Sequence, residues 1–335
     1  TPMFHKQRED PFFRIPTPVL FAHRGGAGEE PESTLRAFRH AALAAKVDVL
    51  EIDIQATKDR EIVVWHGPLL ENVHNGTRLL GKTDIRDLLF HEEIKGRAWV
   101  LHPDFPGKLE KAPDRLLLTL EEFLNLVEIL EKELKEKERT RTLHLNIELK
   151  KGHGIDREWN PLWDRLFRLL DSQPERRGII LASADQRLLS AIRRQMAGRS
   201  GRSYPTNLSY REQLTFRHLM APTFTSLLFR AGSLLFGPAK PPEEPYAFET
   251  YYKLASKKLV ENVISDRRAF YVFLTAFGLF FPPADGGKDV RLENVLNKLL
   301  EAGVDGIMTD CPCKVARMLD RCGVRNNIGI LPMEG

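Results

Sequence analysis

Short apolar runs that stop abruptly at a charged or histidine-bearing turn recur along this chain, and helical patterns fill the intervals between them. Val19-Leu20-Phe21-Ala22 ends at His23-Arg24-Gly25-Gly26, and Val49 to Ile54 carries Glu51 and Asp53. After a turn at Lys58-Asp59-Arg60, Ile62 to Trp65 returns to deliver His66, and Leu143 to Leu149 carries Glu148. Buried parallel strands that end at a functional loop have this form. Leu35, Phe38, Ala41, Ala42 and Ala45 fall on one helical face behind an N-cap at Ser33 or Thr34. Thr119 caps a second helix through Phe123, Leu126, Val127 and Leu130, and the alternation continues to a last strand at Asp305–Thr309 and a helix from Cys313 to Leu319. Roughly eight strand signals separated by helices, with no second class of segment, predict an α/β fold of the (β/α)8 TIM-barrel type over residues 19–320. A doubly wound open sheet is the alternative.

Residues 1–18 read as an N-terminal extension and 321–335 as a C-terminal tail. Two stretches depart from the alternation. Residues 67–117 form a long polar excursion, and 211–245 form an apolar helical insertion rich in Phe216, Met220, Phe224, Leu227 and Phe229. Arg217, His218 and Arg230 keep the insertion from reading as a membrane span, and no run reaches the ~18 apolar residues that one needs. Two roles fit it: an extra hairpin packed on the barrel, or an interfacial element (residues 214–240) in peripheral contact with a bilayer. The charge run from Glu131 to Arg141 reads as a solvated helix face.

With 42% hydrophobic residues the chain can bury a sizeable core. Its formal charge of +4 suits an anionic substrate or membrane surface, but acids interleave the bases, so nucleic acid is not an expected partner. The three cysteines, Cys311, Cys313 and Cys322, are too few for a disulfide framework. Cys311-Pro312-Cys313 lacks the spacing and partners of a structural zinc site, so plain thiols or one incidental bridge are expected. The chain begins at Thr1 rather than methionine, so a targeting segment ahead of it is expected to be missing, with a membrane-associated or secretory-pathway location.

The strand-end residues carry a specific chemistry. Glu51 and Asp53 lie two apart on a strand and point to one face, where they repel unless a cation lies between them. Oxygen-only ligands favour Mg2+ or Ca2+ over zinc. Glu148 supplies a third oxygen if its strand lies beside that of Glu51. Arg24 can fork onto a phosphate, Lys150 adds a point charge on the Glu148 face, and His23 and His66 can act as general base and general acid. These are the parts needed to hydrolyse a phosphate ester on a divalent metal. The other histidines, His40 and His144 among them, default to surface or core, with His153 between two glycines as a further supporting candidate.

His23-Arg24-Gly25-Gly26, Pro31-Glu32-Ser33-Thr34, Glu51-x-Asp53, His66, Asn75-Gly76-Thr77, Glu148-x-Lys150 and Gly303 to Asp310 resemble, in order, the motifs of the glycerophosphodiester phosphodiesterase family. The resemblance implies a barrel of the phosphatidylinositol-phosphodiesterase-like type and a metal at Glu51, Asp53 and Glu148. It further implies acid–base catalysis at His23 and His66; Glu32 and Phe273 are supporting candidates. An adjacent glycerol hydroxyl then attacks phosphorus first, giving a cyclic phosphate. The His-Arg-Gly-Gly-Ala-Gly-Glu phrase and the apolar segment before Pro245-Tyr246-Ala247-Phe248 look like the membrane-associated subgroup, which implies lysophospholipase D activity on lysophospholipids. Soluble glycerophosphodiesters such as glycerophosphocholine are the alternative substrates, and a sphingomyelinase-D-like activity is a remoter one. Two positions depart from the family pattern: Gly67 follows His66 where aspartate is usual, and Phe273-Leu274-Thr275-Ala276 replaces a Trp-Thr-Val-Asn-like stretch. The first departure makes a non-catalytic lipid-binding protein the alternative of another class.

Overall fold

Eight parallel strands close on themselves in the computed structural model of this protein. The structure describes residues 11–30, 32–57, 60–66, 118–136, 141–150, 159–209, 247–252, 255, 257, 260, 261, 269–274 and 290–324. Strand β1 (Val19–Ala22) pairs with β2 (Val49–Ala56) on one side and β10 (Gly306–Thr309) on the other. The ring runs on from β2 through β5 (His144–Leu149), β6 (Ile179–Ser183), β7 (Thr206–Ser209), β8 (Ala247–Tyr251) and β9 (Ala269–Leu274) back to β10. Every neighbour in that ring is parallel. Closure leaves the ring no open edge and decides for the barrel over the open sheet.

The two-residue period of each strand sorts its side chains. Val19, Phe21, Val49, Ile180, Tyr271 and Met308 pack together inside the ring. Their neighbours Leu20, Ala22, Leu50, Ile52, Leu181 and Ile307 pack against the surrounding helices. Phe12, in the short helical turn Pro11–Arg14, is 1% exposed and joins the interior cluster. Its ring lies 6.0 Å from Phe21, 6.3 Å from Tyr271 and 6.4 Å from His144 at the start of β5, so it closes the N-terminal end of the barrel. This part of the N-terminal extension is therefore core. Towards the other end the inward positions turn polar, with Glu51, Asp53, Asn146, Glu148, Asn207 and Glu249 all buried.

One irregularity positions a functional residue. β2 outruns β1, which pairs only with Val49 and Leu50; the antiparallel strand β3 (Ile62–Val64) takes over that edge at Ile54, Gln55 and Ala56. The chain thus overshoots the rim and folds back, and Trp65 N–H donates to the Asp53 carbonyl at 2.9 Å. His66 is therefore returned to the level of Asp53. A two-residue strand β4 (Leu118–Thr119) pairs with β3.

The helices follow their caps. Thr34 is the N-cap of the helix Leu35–Leu43, its hydroxyl accepting from Ala37 N–H at 3.2 Å. Thr119 and Glu122 form a reciprocal box at the start of the helix Leu120–Glu136, with the Thr119 amide bonded to the Glu122 carboxylate and the Glu122 amide to the Thr119 hydroxyl. Phe38 and Phe123 join these two helices with ring centroids 4.7 Å apart. The charge run beyond them is less solvated than its composition suggests. Glu131 is buried, accepts the Leu143 amide at 2.9 Å and pairs with Arg176 and Arg177. Arg141 turns back to bond the Lys46 carbonyl and Asp48. The 67–117 excursion, the 211–245 insertion, residues 325–335 of the tail, Gly67, His153, Thr275 and Ala276 lie outside the described residues. Among the described residues, no helix is long and apolar enough to cross a membrane.

Candidate active site

The strand-end residues converge on the C-terminal rim of the barrel, the face that builds sites in this fold. Register puts Asp53 opposite Glu148 across the β2–β5 pair and Glu51 opposite Asn146. Ligand oxygens of Glu51, Asp53 and Glu148 all lie within 4.8 Å of one another, on side chains that are buried. Lys150 Nζ bridges two of them, 2.8 Å from Asp53 Oδ1 and 2.7 Å from Glu148 Oε1. Arg24 Nε stands 2.9 Å from Asp53 Oδ2. Each carboxylate oxygen of Asp53 therefore faces one cation, Lys150 at Oδ1 and Arg24 at Oδ2.

Arg24 reaches the rim because its backbone is held in the left-handed region, at φ 51° and ψ 31°. A non-glycine residue there costs on the order of 1–3 kcal/mol, and four contacts offset that cost. The Arg24 amide donates to Glu51 Oε2 at 2.7 Å, and its carbonyl accepts from the Ser33 amide at 2.9 Å. Its guanidinium spans Asp53 and Glu32, with Nη1 2.9 Å from Glu32 Oε2. Glu32 thus contacts Arg24 and is not part of the carboxylate cluster. Gly25 follows at φ +83°, packed so that a Cβ there would meet Ala37 Cβ at 2.8 Å.

Burial sets the electrostatics of the cluster, and the neighbours refine it. Desolvation pushes the Glu51 carboxyl well above the usual range, with Asp53 and Glu148 adding to the shift and Arg24 opposing it. Burial acts on Asp53 in the same direction, yet Lys150, Arg24 and His66 hold its carboxyl well below the usual range. Lys150 and Arg24 are both raised, since the carboxylates outweigh the cost of burying them. Three buried carboxylates thus share two cations, Lys150 and Arg24. Burial and its carboxylate neighbours favour the neutral form of Glu51, and a cation among the three carboxylates would favour its charged form. An all-oxygen donor set of three buried carboxylates whose ligand atoms lie within 4.8 Å of one another fits a hard divalent ion.

His23 sits over this cluster. Its Nδ1 is 2.5 Å from Asp310 Oδ1, and its Nε2 is 4.0 Å from Glu51 Oε2. Phe273 packs edge-on against the imidazole with centroids 4.5 Å apart, which gives that position a wall-forming contact. His66 is half-buried, and its charge acts on Asp53. The structure thus brings together His23, Arg24, Glu51, Asp53, His66, Glu148 and Lys150. Asp310 is the residue that sequence reasoning missed. It lay in a matched motif without a role, and its signal was its place directly after the last strand, which barrel closure sets beside β1.

The profile of the glycerophosphoryl diester phosphodiesterase family matches residues 23–217 of the 335, more than half of the chain. The chain is 37% identical over 113 residues to the human lysophospholipase D GDPD3, covering 33% of this chain and 32% of that one. It is also 38% identical over 79 residues to a glycerophosphodiester phosphodiesterase of Bacillus altitudinis, covering 24% of this chain and 30% of that one. The chain therefore spans about a third of the length of these curated relatives. Among solved structures, it resembles a phosphodiesterase from Oleispira antarctica in complex with the product sn-glycerol-3-phosphate. There the TM-score is 0.60 at 16% identity, over 92% of this chain and 99% of that chain. A glycerophosphodiester phosphodiesterase from Parabacteroides distasonis gives a TM-score of 0.56 at 15% identity, over 92% and 99%. Those two structures bear on the fold, and the profile match over more than half of the length bears on descent: the chain belongs to the glycerophosphoryl diester phosphodiesterase family.

Proposed function

We propose that this protein is a metal-dependent phosphodiesterase that cleaves glycerol-linked phosphodiesters. The observation that carries this reading is the convergence of three buried carboxylates, two cations and an aspartate-paired histidine at one end of the barrel. Glu51, Asp53 and Glu148 would hold Mg2+ or Ca2+, which supplies charge neutralisation at the phosphate and lowers the pKa of a bound hydroxyl. The rest of the chemistry belongs to this chain's own residues. Arg24 and Lys150 draw the phosphodiester to the rim and offset its charge. Asp310 fixes the His23 tautomer by occupying Nδ1, which leaves Nε2 to take a proton from the attacking hydroxyl. His66, brought to the level of Asp53 by the fold-back of β3, delivers a proton to the leaving oxygen. An internal glycerol hydroxyl as attacking group gives a cyclic phosphate, which water then opens.

A second reading is lysophospholipase D activity, in which the same chemistry acts on a phosphodiester carrying one acyl chain. The identity to a human lysophospholipase D and the apolar run of residues 214–240 support it, with that run resting on the lipid surface. The identity to a bacterial glycerophosphodiester phosphodiesterase supports the soluble substrate equally. Retention of both histidines and all three carboxylates speaks against a non-catalytic lipid-binding role. Parallel incubation with glycerophosphocholine and lysophosphatidylcholine at saturating metal, followed by choline release, separates these readings. Faster release from the lysolipid supports the second, and faster release from the soluble diester the first. Absence of release from either overturns both.

A further inference from the structure

Away from the carboxylate cluster, Glu29, His40 and Cys313 converge from three parts of the chain. Glu29 lies in the loop after the turn His23–Gly25, His40 on the helix Leu35–Leu43, and Cys313 at the second position of the helix Pro312–Arg321. His40 Nε2 is 3.2 Å from Glu29 Oε2 and 3.2 Å from Cys313 Sγ. One ligand atom from each residue lies within 4.8 Å of the other two. His40 Nε2 shares its one hydrogen or lone pair between these neighbours, and the Cys313 thiol also bonds the Glu29 carboxylate, so the three groups bond one another. The Glu29 carboxylate is fixed in place by the amides of Cys313 and Lys314, each at 3.0 Å, and still has lone pairs to give.

Two of these spacings lie near the edges of a zinc tetrahedron. Zinc bonds of about 2.3 Å to sulfur and about 2.0–2.1 Å to nitrogen and oxygen put tetrahedral edges at roughly 3.5 Å for S···N and 3.3 Å for N···O. The observed 3.2 Å edges are close to both. We propose that Glu29, His40 and Cys313 form a zinc site distinct from the catalytic cluster, with the fourth position open to solvent. The side chains of Glu29 and His40 are 16% and 20% exposed while Cys313 is buried, which gives an entry path on one side and a dry sulfur on the other. The Cys311-Pro312-Cys313 spacing gave no hint of this. Only Cys313 of the pair joins, and its partners His40 and Glu29 come from 273 and 284 residues away along the chain.

The site has a structural consequence. The Gly28 amide donates to the Asp310 carbonyl at 2.7 Å, so the loop after β1 already lies along the loop after β10. Those loops carry His23 and Asp310, and a zinc ion at Glu29, His40 and Cys313 fastens them together from outside without touching substrate.

Titrating the metal-free full-length chain with Co2+ and recording the near-ultraviolet spectrum tests the proposal. A thiolate ligand produces a sulfur-to-cobalt charge-transfer band, whereas the oxygen-only cluster of Glu51, Asp53 and Glu148 produces none. The expected result is a saturable band that Zn2+ displaces, that persists in Glu148→Gln and that is lost in Cys313→Ser. If Cys313→Ser does not fold, His40→Gln is expected to weaken Co2+ binding at the band by about tenfold or more. No band in the wild type, a band that survives Cys313→Ser, or unchanged affinity in His40→Gln overturns the site.

Discussion

Asp310 holds His23 by a 2.5 Å contact to Nδ1, and this pair has a clear mutational consequence. In Asp310→Asn the amide can turn its NH2 group towards Nδ1 and favour the wrong tautomer. Turnover is expected to fall about 10²- to 10⁴-fold with little change in melting temperature. Steady-state kinetics and a thermal melt check this, and near-wild-type turnover contradicts it. The sequence could not supply this pairing, because nothing local links residue 310 to residue 23. By contrast, His23, Arg24, Glu51, Asp53, Glu148 and Lys150 were legible as polar residues ending apolar runs.

A second residue-scale outcome concerns His144. Its Nδ1 accepts the Gly178 amide at 2.9 Å, which requires that nitrogen to be unprotonated. Burial, helped by Arg141, Arg177 and Arg202 and opposed by Glu131, lowers its pKa from 6.5 to about 4. Between those values the unfolded chain binds a proton that the folded chain refuses. The contribution is thus fully present above pH 6.5 and lost as pH falls towards 4, amounting to about 3 kcal/mol. His144→Asn keeps an acceptor and cannot gain the proton. Urea unfolding across that window is expected to show a shallower loss of stability in the variant, and an unchanged slope contradicts the assignment.

At the scale of elements, the turn after β1 is shaped by a packing constraint. A Cβ on Gly25 would meet Ala37 Cβ at 2.8 Å and Phe38 Cδ1 at 3.0 Å, at a φ of +83°. Gly25→Ala is expected to cost about 2–3 kcal/mol, from combined strain and overpacking. Gly303, at φ +78° with nothing within 4 Å of a Cβ, is the control, and Gly303→Ala is expected to cost only about 1 kcal/mol. Equal losses in denaturant titrations of the two variants contradict this account of the turn. The N-caps at Thr34 and Thr119 and the strands themselves were readable, since capping and apolar periodicity are local. The role of Glu131 was not: its partners Leu143, Arg176 and Arg177 lie on other elements, and composition alone made it solvated surface.

For the whole molecule, strand count and alternation pointed to a barrel but could not by themselves exclude an open sheet. The β1–β10 pairing excludes it, and the same closure brings Asp310 to His23. What the sequence carried as seven separate strand-end residues the barrel carries as one rim, with the fold-back of β3 bringing His66 to Asp53. The central claim is that this rim works through a divalent cation held by Glu51, Asp53 and Glu148. Choline release from glycerophosphocholine, measured against free Mg2+ or Ca2+ in the wild type and in Glu148→Gln, tests it most directly. The account predicts no release in EDTA, recovery on adding metal back, and at least about tenfold more metal for recovery in the variant. Release that is indifferent to EDTA, or that is absent at every metal concentration in the wild type, would contradict it.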